Sequence, residues 1–170
     1  MIKLLTLALS ITLPPPAAGP EMEKLSFFIG EWRSNERMTA PGRAPIEFTL
    51  DGKYQWALNS TAITMDETLH LPDGVVSHNY IFLWWDGQAK NYRMMWFSEG
   101  MARPREFVGA YEGEKLVFVH TPEGGSGSAL RIVYIQKSPT EFDATLDIQV
   151  EGKWQTRTVA KYTKKATTQP

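Results

Sequence analysis

The chain has 170 residues, room for one domain or two very small ones, and its 42% hydrophobic and 22% charged content is that of a globular protein. A formal net charge of −1 argues against a general binder of nucleic acid or anionic membranes, which needs a basic surplus to displace counterions. The absence of cysteine removes disulfides, thiol nucleophiles, iron–sulfur clusters and cysteine zinc sites together.

Met1 to Lys3 supplies one positive charge, Leu4 to Leu13 is a ten-residue apolar run, and Pro14 to Gly19 follows with small residues. This is the order of a secretory signal over residues 1–19, and it predicts a secreted or periplasmic protein. Ten apolar residues span about 15 Å as a helix, half of a bilayer core, so no membrane span is expected in the mature chain. Between Glu21 and Leu25, and on to Gly30, Met22, Leu25, Phe28 and Ile29 fall at helical spacing.

Ten strands are predicted after that: Trp32–Met38, Pro45–Leu50, Tyr54–Met65, Val75–Trp85, Asn91–Phe97, Arg105–Tyr111, Lys115–His120, Ala129–Lys137, Phe142–Val150 and Lys153–Thr163. Short turns separate most of them, among them Asp51-Gly52, Asp86-Gly87, Glu112-Gly113 and Glu151-Gly152. No helical block is available for parallel βαβ units. A meander of this length needs its edges closed, so the expected fold is an all-β, antiparallel up-and-down barrel of about 8–10 strands over residues 20–164. A short N-terminal helix closes one end, and residues 165–170 form a polar, disordered tail. A two-sheet sandwich is the alternative.

Aromatic side chains are abundant: 6 Trp, 6 Tyr and 8 Phe, with 7 Met. Such residues suit an adaptable apolar pocket, because they bring large contact area at little rotamer cost. The segment 80–97 is apolar on both faces, with Tyr80, Phe82 and Trp84 alternating against Ile81, Leu83 and Trp85. It is where a ligand or partner is expected. The lumen is expected to be lined by Trp56, Tyr80, Trp84, Met94, Trp96, Phe107 and Tyr134. Arg93 or Arg105 would anchor a ligand carboxylate or phosphate by bidentate bonding. The opposite face, with Ile81, Leu83, Trp85, Met95 and Phe97, offers a possible homodimer surface.

The phrase Leu25-Ser26-Phe27-Phe28-Ile29-Gly30-Glu31-Trp32 resembles the opening of calycin barrels, a short closing helix followed by Gly-x-Trp entering the first strand. It is most similar to the bacterial family called domain of unknown function 1579. Further similarity lies in Met38 to Pro45, in Tyr111-Glu112-Gly113 and in Val159 to Lys164, so the likeness runs from about Glu23 to Lys164. It implies a lipocalin-like barrel and no established reaction. It also implies that Gly30 and Trp32 are structural, the indole packing under a basic residue of the last strand, Arg157 or Lys161. Related nitrobindin-like haem barrels carry further glycines after Gly-x-Trp and a late-strand histidine. Here Arg33-Ser34-Asn35 follows and Lys153–Thr163 holds no histidine, so no haem and no other cofactor is expected.

Motifs for covalent or metal chemistry are weak. His70 and His78 flank a hairpin loop, where with Asp66 or Glu67 they could approach a metal at a spacing that matches no known ligand motif; His120 reads as a rim residue. Gly125-Ser126-Gly127 lacks the strand-to-helix context of a nucleophile elbow. The function expected is exported binding of a small hydrophobic or amphipathic molecule. The alternatives are an isomerase- or cyclase-type barrel enzyme using His78, Glu99 or Glu106, and an interaction module.

Overall fold

A computed structural model describes residues 18–125 and 127–166. Most of the expected signal segment and the last four residues lie outside the described range. Strands β1 (Gly30–Met38), β2 (Ile46–Ala57), β3 (Ala62–His70), β4 (Val76–Asp86), β5 (Asn91–Ser98), β6 (Arg105–Glu112), β7 (Lys115–His120), β8 (Leu130–Ser138), β9 (Glu141–Val150) and β10 (Lys153–Lys164) each pair antiparallel with the next. Pairing of β1 with β10 shuts the sheet into a closed ten-stranded barrel. No strand edge remains open, which is the advantage that closure has over a sandwich. No helix among the described residues is long and apolar enough to cross a membrane.

The helical N-terminal phrase is broken into α1 (Pro20–Glu23) and a 3-10 turn at Ser26–Phe28. Together they plug one end of the barrel, burying Met22, Leu25 and Phe28. The plug is pinned by three bonds. The Trp32 indole Nε1 donates to the Phe28 carbonyl at 2.6 Å, and the hydroxyls of Tyr92 and Tyr111 donate to the carbonyls of Glu21 and Lys24 at 2.9 and 3.1 Å. Around it the Phe28 ring meets Tyr54, Tyr134 and Phe142 edge-on, so this half of the barrel is solid.

Gly30 and Trp32 take the positions expected of the Gly-x-Trp phrase, with a different cation. Trp32 pairs with Lys164 across β1 and β10, and the Lys164 ammonium lies 5.3 Å from the indole centroid. Gly30, at φ +140°, leaves room for that side chain: a β-carbon there would sit 2.3 Å from Lys164 Cε. Arg157 is at the far end of β10, at a bulge between Thr156 and Thr158, bonded to Gln155. Lys161, the other candidate, pairs with Asn35 three residues before Lys164, so neither candidate reaches Trp32. Lys165, placed by the sequence in the tail, is also tied down, through an ion pair to Asp51 at 2.7 Å and a backbone bond to Glu31. Lys165 and Arg33 hold the Asp51 carboxyl down at about 2.

One turn is not where the sequence suggests. Asp51-Gly52 lies inside β2, and the chain reverses instead at Leu58 to Ser60, which carry three successive positive φ angles. Gly52 is needed for packing, because a β-carbon there would stand 2.7 Å from the buried Tyr54 ring. Gly52→Ala is therefore expected to destabilise the fold by about 1–3 kcal/mol, the range for an overpacked core. Denaturant unfolding measures this; a variant as stable as the parent would mean that the Tyr54 ring moves aside freely.

Candidate functional site

Strand directions place Met38, Ile46, His70, Val76, Ser98, Arg105, His120 and Leu130 at the end opposite the plug. On that side the interior is hollow, with a cavity of about 210 Å³. Its apolar wall includes Phe48, Leu50, Leu69, Ile81, Ile132 and Leu146, drawn from β2, β3, β4, β8 and β9. Inward positions alternate along each strand, so one run of i, i+2, i+4 residues per strand furnishes the lining.

Between the cavity and the solid half runs a belt of polar groups. Glu67 is 5% exposed; its Oε1 accepts from the Tyr54 hydroxyl at 2.7 Å and its Oε2 from Asn79 Nδ2 at 3.1 Å. Glu36 is 9% exposed, and its Oε1 accepts from Ser34 Oγ at 2.9 Å and from the Tyr162 hydroxyl at 3.2 Å. The Oε2 of Glu36 accepts from no described residue. Both glutamates line the cavity, as do Asn79, Tyr134 and Tyr162. Burial raises the Glu36 carboxyl to about 7, and the Glu67 charge adds to the rise against the bonds from Ser34 and Tyr162. Burial likewise raises Glu67, and it raises Tyr54, Tyr134 and Tyr162, each further by the glutamate charges.

Neither glutamate was singled out as a lumen group from the sequence, although the signal is there. Counting by twos from Trp32 gives Ser34, Glu36 and Met38 on the inner face, and Ile63, Met65, Glu67 and Leu69 form the inner face of β3. A charged residue interrupting an inward apolar series marks a buried acid.

Of the residues expected in the lumen, Trp96 and Tyr134 line the cavity. Trp96 Nε1 is buried and has no hydrogen-bond partner among the described residues. Met94 and Phe107 face inward beneath Trp96, fully buried in the packed core, and Trp56 packs against that core from β2. Tyr80 and Trp84 are on the outer wall. Trp84 pairs with Arg93 and Trp85 with Tyr92, so an even-numbered residue of β4 shares its face with an odd-numbered residue of β5. The inner face of β4 is thus Asn79, Ile81, Leu83 and Trp85, and the outer patch is Tyr80, Phe82 and Trp84 beside Met95 and Phe97. Because β4 is apolar on both faces, only the pairing register decides between them.

Both arginines proposed as anchors lie outside the cavity lining. Arg93 points outward, bridging Glu106 at 3.1 Å and Asp86 at 3.6 Å. Arg105 pairs with Trp96 at the rim, its guanidinium 5.7 Å from the indole centroid. The other titratable candidates are peripheral too. His78 is exposed beside Thr68 and its backbone N–H donates to Glu99, Glu106 pairs with Arg93, His70 contacts Asp51 at 3.2 Å, and His120 bonds the Glu106 carbonyl.

The raised carboxyl of Glu36 has a sign that stability can report. The unfolded chain releases this proton near pH 4.3 and the folded chain near 7, so native stability falls as pH rises through that window, by roughly 3–4 kcal/mol in full. Glu36→Gln is expected to remove this part of the profile, raising the unfolding free energy at pH 8 by about 1–3 kcal/mol while leaving pH 4 little changed. Urea unfolding of both proteins at the two pH values checks it; parallel profiles would show that Glu36 titrates normally.

No protein-family model and no curated protein matches the chain. Solved structures share its fold at low identity, two of them as follows. The crystal structure of Rv2717c from M. tuberculosis superposes with a TM-score of 0.64 at 13% identity, covering 88% of this chain and all of that one. The S-type phycobiliprotein lyase CPES from Guillardia theta superposes with a TM-score of 0.59 at 12% identity, covering 85% of this chain and 92% of its own. The chain shares the fold of both structures, and its own sheet is a closed, antiparallel ten-stranded barrel.

Proposed function

We propose that this protein binds one small, mainly apolar molecule in the open half of its barrel. The observation that carries the reading is the cavity of about 210 Å³, walled by aliphatic and aromatic side chains and set beside a buried polar belt. An engineered apolar cavity of about 150 Å³ accepts benzene, so the occupant is of the size of one ring with a short substituent. This is smaller than the pockets of about 300–1,000 Å³ that take drug-sized ligands. A barrel of similar shape serving as a phycobiliprotein lyase supports small-molecule handling as a use of this architecture. The Gly-x-Trp phrase supports a place beside domain of unknown function 1579. The Lys3, Leu4–Leu13 and Pro14–Gly19 order supports export to the periplasm or beyond.

A second reading of the same cavity, as an active site, is favoured by one observation: Glu36 is a buried carboxyl in the cavity wall, and burial lifts it to about 7, where a general acid or base works best. Under it, Glu36→Gln abolishes turnover of a bound compound without displacing it.

The outer patch supports self-association, since Tyr80 and Phe97 are 45% and 43% exposed and adjoin Phe82, Trp84 and Met95. Light scattering is expected to give a dimer that Phe97→Lys converts to monomer; a parent monomer at high concentration ends that assignment.

Binding itself is tested with neutral single-ring compounds such as indole or 2-phenylethanol, followed by intrinsic fluorescence. A saturable change in emission is expected that Trp96→Phe largely abolishes and Trp84→Phe retains, because only Trp96 lines the cavity. No change across such a panel, or a change that survives Trp96→Phe, removes the proposal.

A further inference from the structure

Resting on that binding reading, we infer that the molecule taken into the cavity is an organic amine, held as its ammonium ion against the free oxygen of Glu36. The charge of the lining decides the class. Every ionisable side chain in the cavity wall is an acid: Glu36, Glu67, Tyr134 and Tyr162. No lysine, arginine or histidine is among the described lining residues. Two cations that reach interior aromatic rings are engaged away from the lining: Arg105 stacks on Trp96 at the rim, and Lys164 lies over Trp32 beneath the packed half. An anionic ligand would enter a wall with two carboxylates and no counter-charge, whereas a cation supplies what the wall lacks.

Hydrogen-bond capacity narrows this to one atom. Both oxygens of Glu67 are occupied, by Tyr54 and Asn79, so Glu67 offers no free acceptor. Glu36 takes two donors on Oε1 and keeps Oε2 open, in a group nine-tenths removed from water. An unpartnered oxygen on a buried carboxylate is best matched by a charged N–H donor, and the aliphatic wall of the cavity receives the ligand's apolar body. The unpartnered Trp96 Nε1 adds one donor in the same wall, open to an acceptor or ring face on the ligand.

The groups that act on Glu36 are all carboxyl, phenol or hydroxyl: Ser34 on its own strand, Glu67 on β3, Tyr134 on β8 and Tyr162 on β10, with Tyr54 and Asn79 behind Glu67. The phenols stay neutral throughout the working range, since burial raises each of them. Entry of an ammonium ion therefore releases to solvent whatever proton Glu36 holds, and the ion pair takes that proton's place. Amine affinity rises with pH through about 7, the region in which Glu36 loses its proton, and falls again once the amine itself is neutral.

Three isosteric probes test this on the full chain at pH 8, with Trp96 emission and calorimetry as readouts: 2-phenylethylamine, 2-phenylethanol and phenylacetate. The amine is expected to bind about 10- to 100-fold more tightly than the alcohol, the worth of a charge-assisted hydrogen bond, with phenylacetate weakest. Glu36→Gln is expected to narrow the ratio of amine to alcohol by about tenfold, and lowering the pH to 6 to narrow it in the parent. If the alcohol or phenylacetate binds as well as the amine, or the ratio survives Glu36→Gln, the amine assignment is overturned while binding in the cavity stands. If none of the three binds, both fall together.

Discussion

The hydrogen bond from the Trp32 indole to the Phe28 carbonyl fixes how deep the N-terminal segment sits, and that depth decides where the barrel is solid and where it is hollow. A ring of ten strands encloses more volume than its own inward side chains fill. The plug makes up the difference at one end only, by inserting Met22, Leu25 and Phe28 among the rings of Tyr54, Tyr134 and Phe142. At the other end the wall alone defines the space. The Gly-x-Trp phrase thus does more than start the first strand. Gly30 lets the Lys164 side chain lie across the indole, and the indole in turn holds the plug.

Closure of the sheet also explains why two carboxylates can exist inside. A buried carboxylate is costly unless donors converge on it. The donors to Glu67 come from β2 and β4 on either side of it, and those to Glu36 come from β1 and, across the seam, from β10. The Tyr162 bond depends on the pairing of first and last strands, so half of the support of Glu36 exists only in the closed barrel. The two acids are nevertheless unequal. Glu67 has a donor on each oxygen and behaves as a structural element. Glu36, which lines the cavity, has both donors on one oxygen, and the other has no partner among the described residues. The same residue type, buried to nearly the same degree, is separated into two roles by hydrogen-bond count alone.

Much of the architecture was legible in the sequence, because strand alternation and short turns are local properties. Ten strands, antiparallel order, closure and a helical plug follow from spacing, and Trp32 from a short phrase. The misplaced turn at Asp51-Gly52 shows the limit of that reading. Asp-Gly is a strong hairpin signal, but here the glycine answers to the ring of Tyr54, a contact made two residues on and invisible as a turn preference. The lumen was harder. On β4, where both faces are apolar, no local pattern distinguishes Tyr80 from Ile81, and the register with β5 settles it through Trp85 opposite Tyr92. The arginines at 93 and 105 attracted the anchor role because buried guanidinium groups are functional so often, yet Arg93 found Glu106 and Asp86 at the surface. Trp96 and Tyr134 line the cavity, although Trp96 stands between Met95 and Phe97, where the local pattern says nothing about its face. Glu36 and Glu67 were readable by parity and were passed over, since a glutamate in a strand is ordinarily a solvent-facing residue.

The sign of the interior charge is the most specific feature of the molecule, and overall composition conceals it. The whole chain's net charge of −1 hides it, because charges such as those of the Arg33–Asp51 and Arg93–Glu106 ion pairs cancel in the sum. Inside, the imbalance is complete, with acids unmatched by bases along the cavity wall. An apolar residue at position 36 would relieve the desolvation of Glu36 and, in a barrel that served only as a scaffold, would be the more stable choice. A cavity shaped solely for hydrocarbon would gain from that exchange as well. The exchange carries a penalty only when the occupant brings a positive charge or strong donor of its own, because the bond it forms with Oε2 then recovers the desolvation that the empty barrel bears.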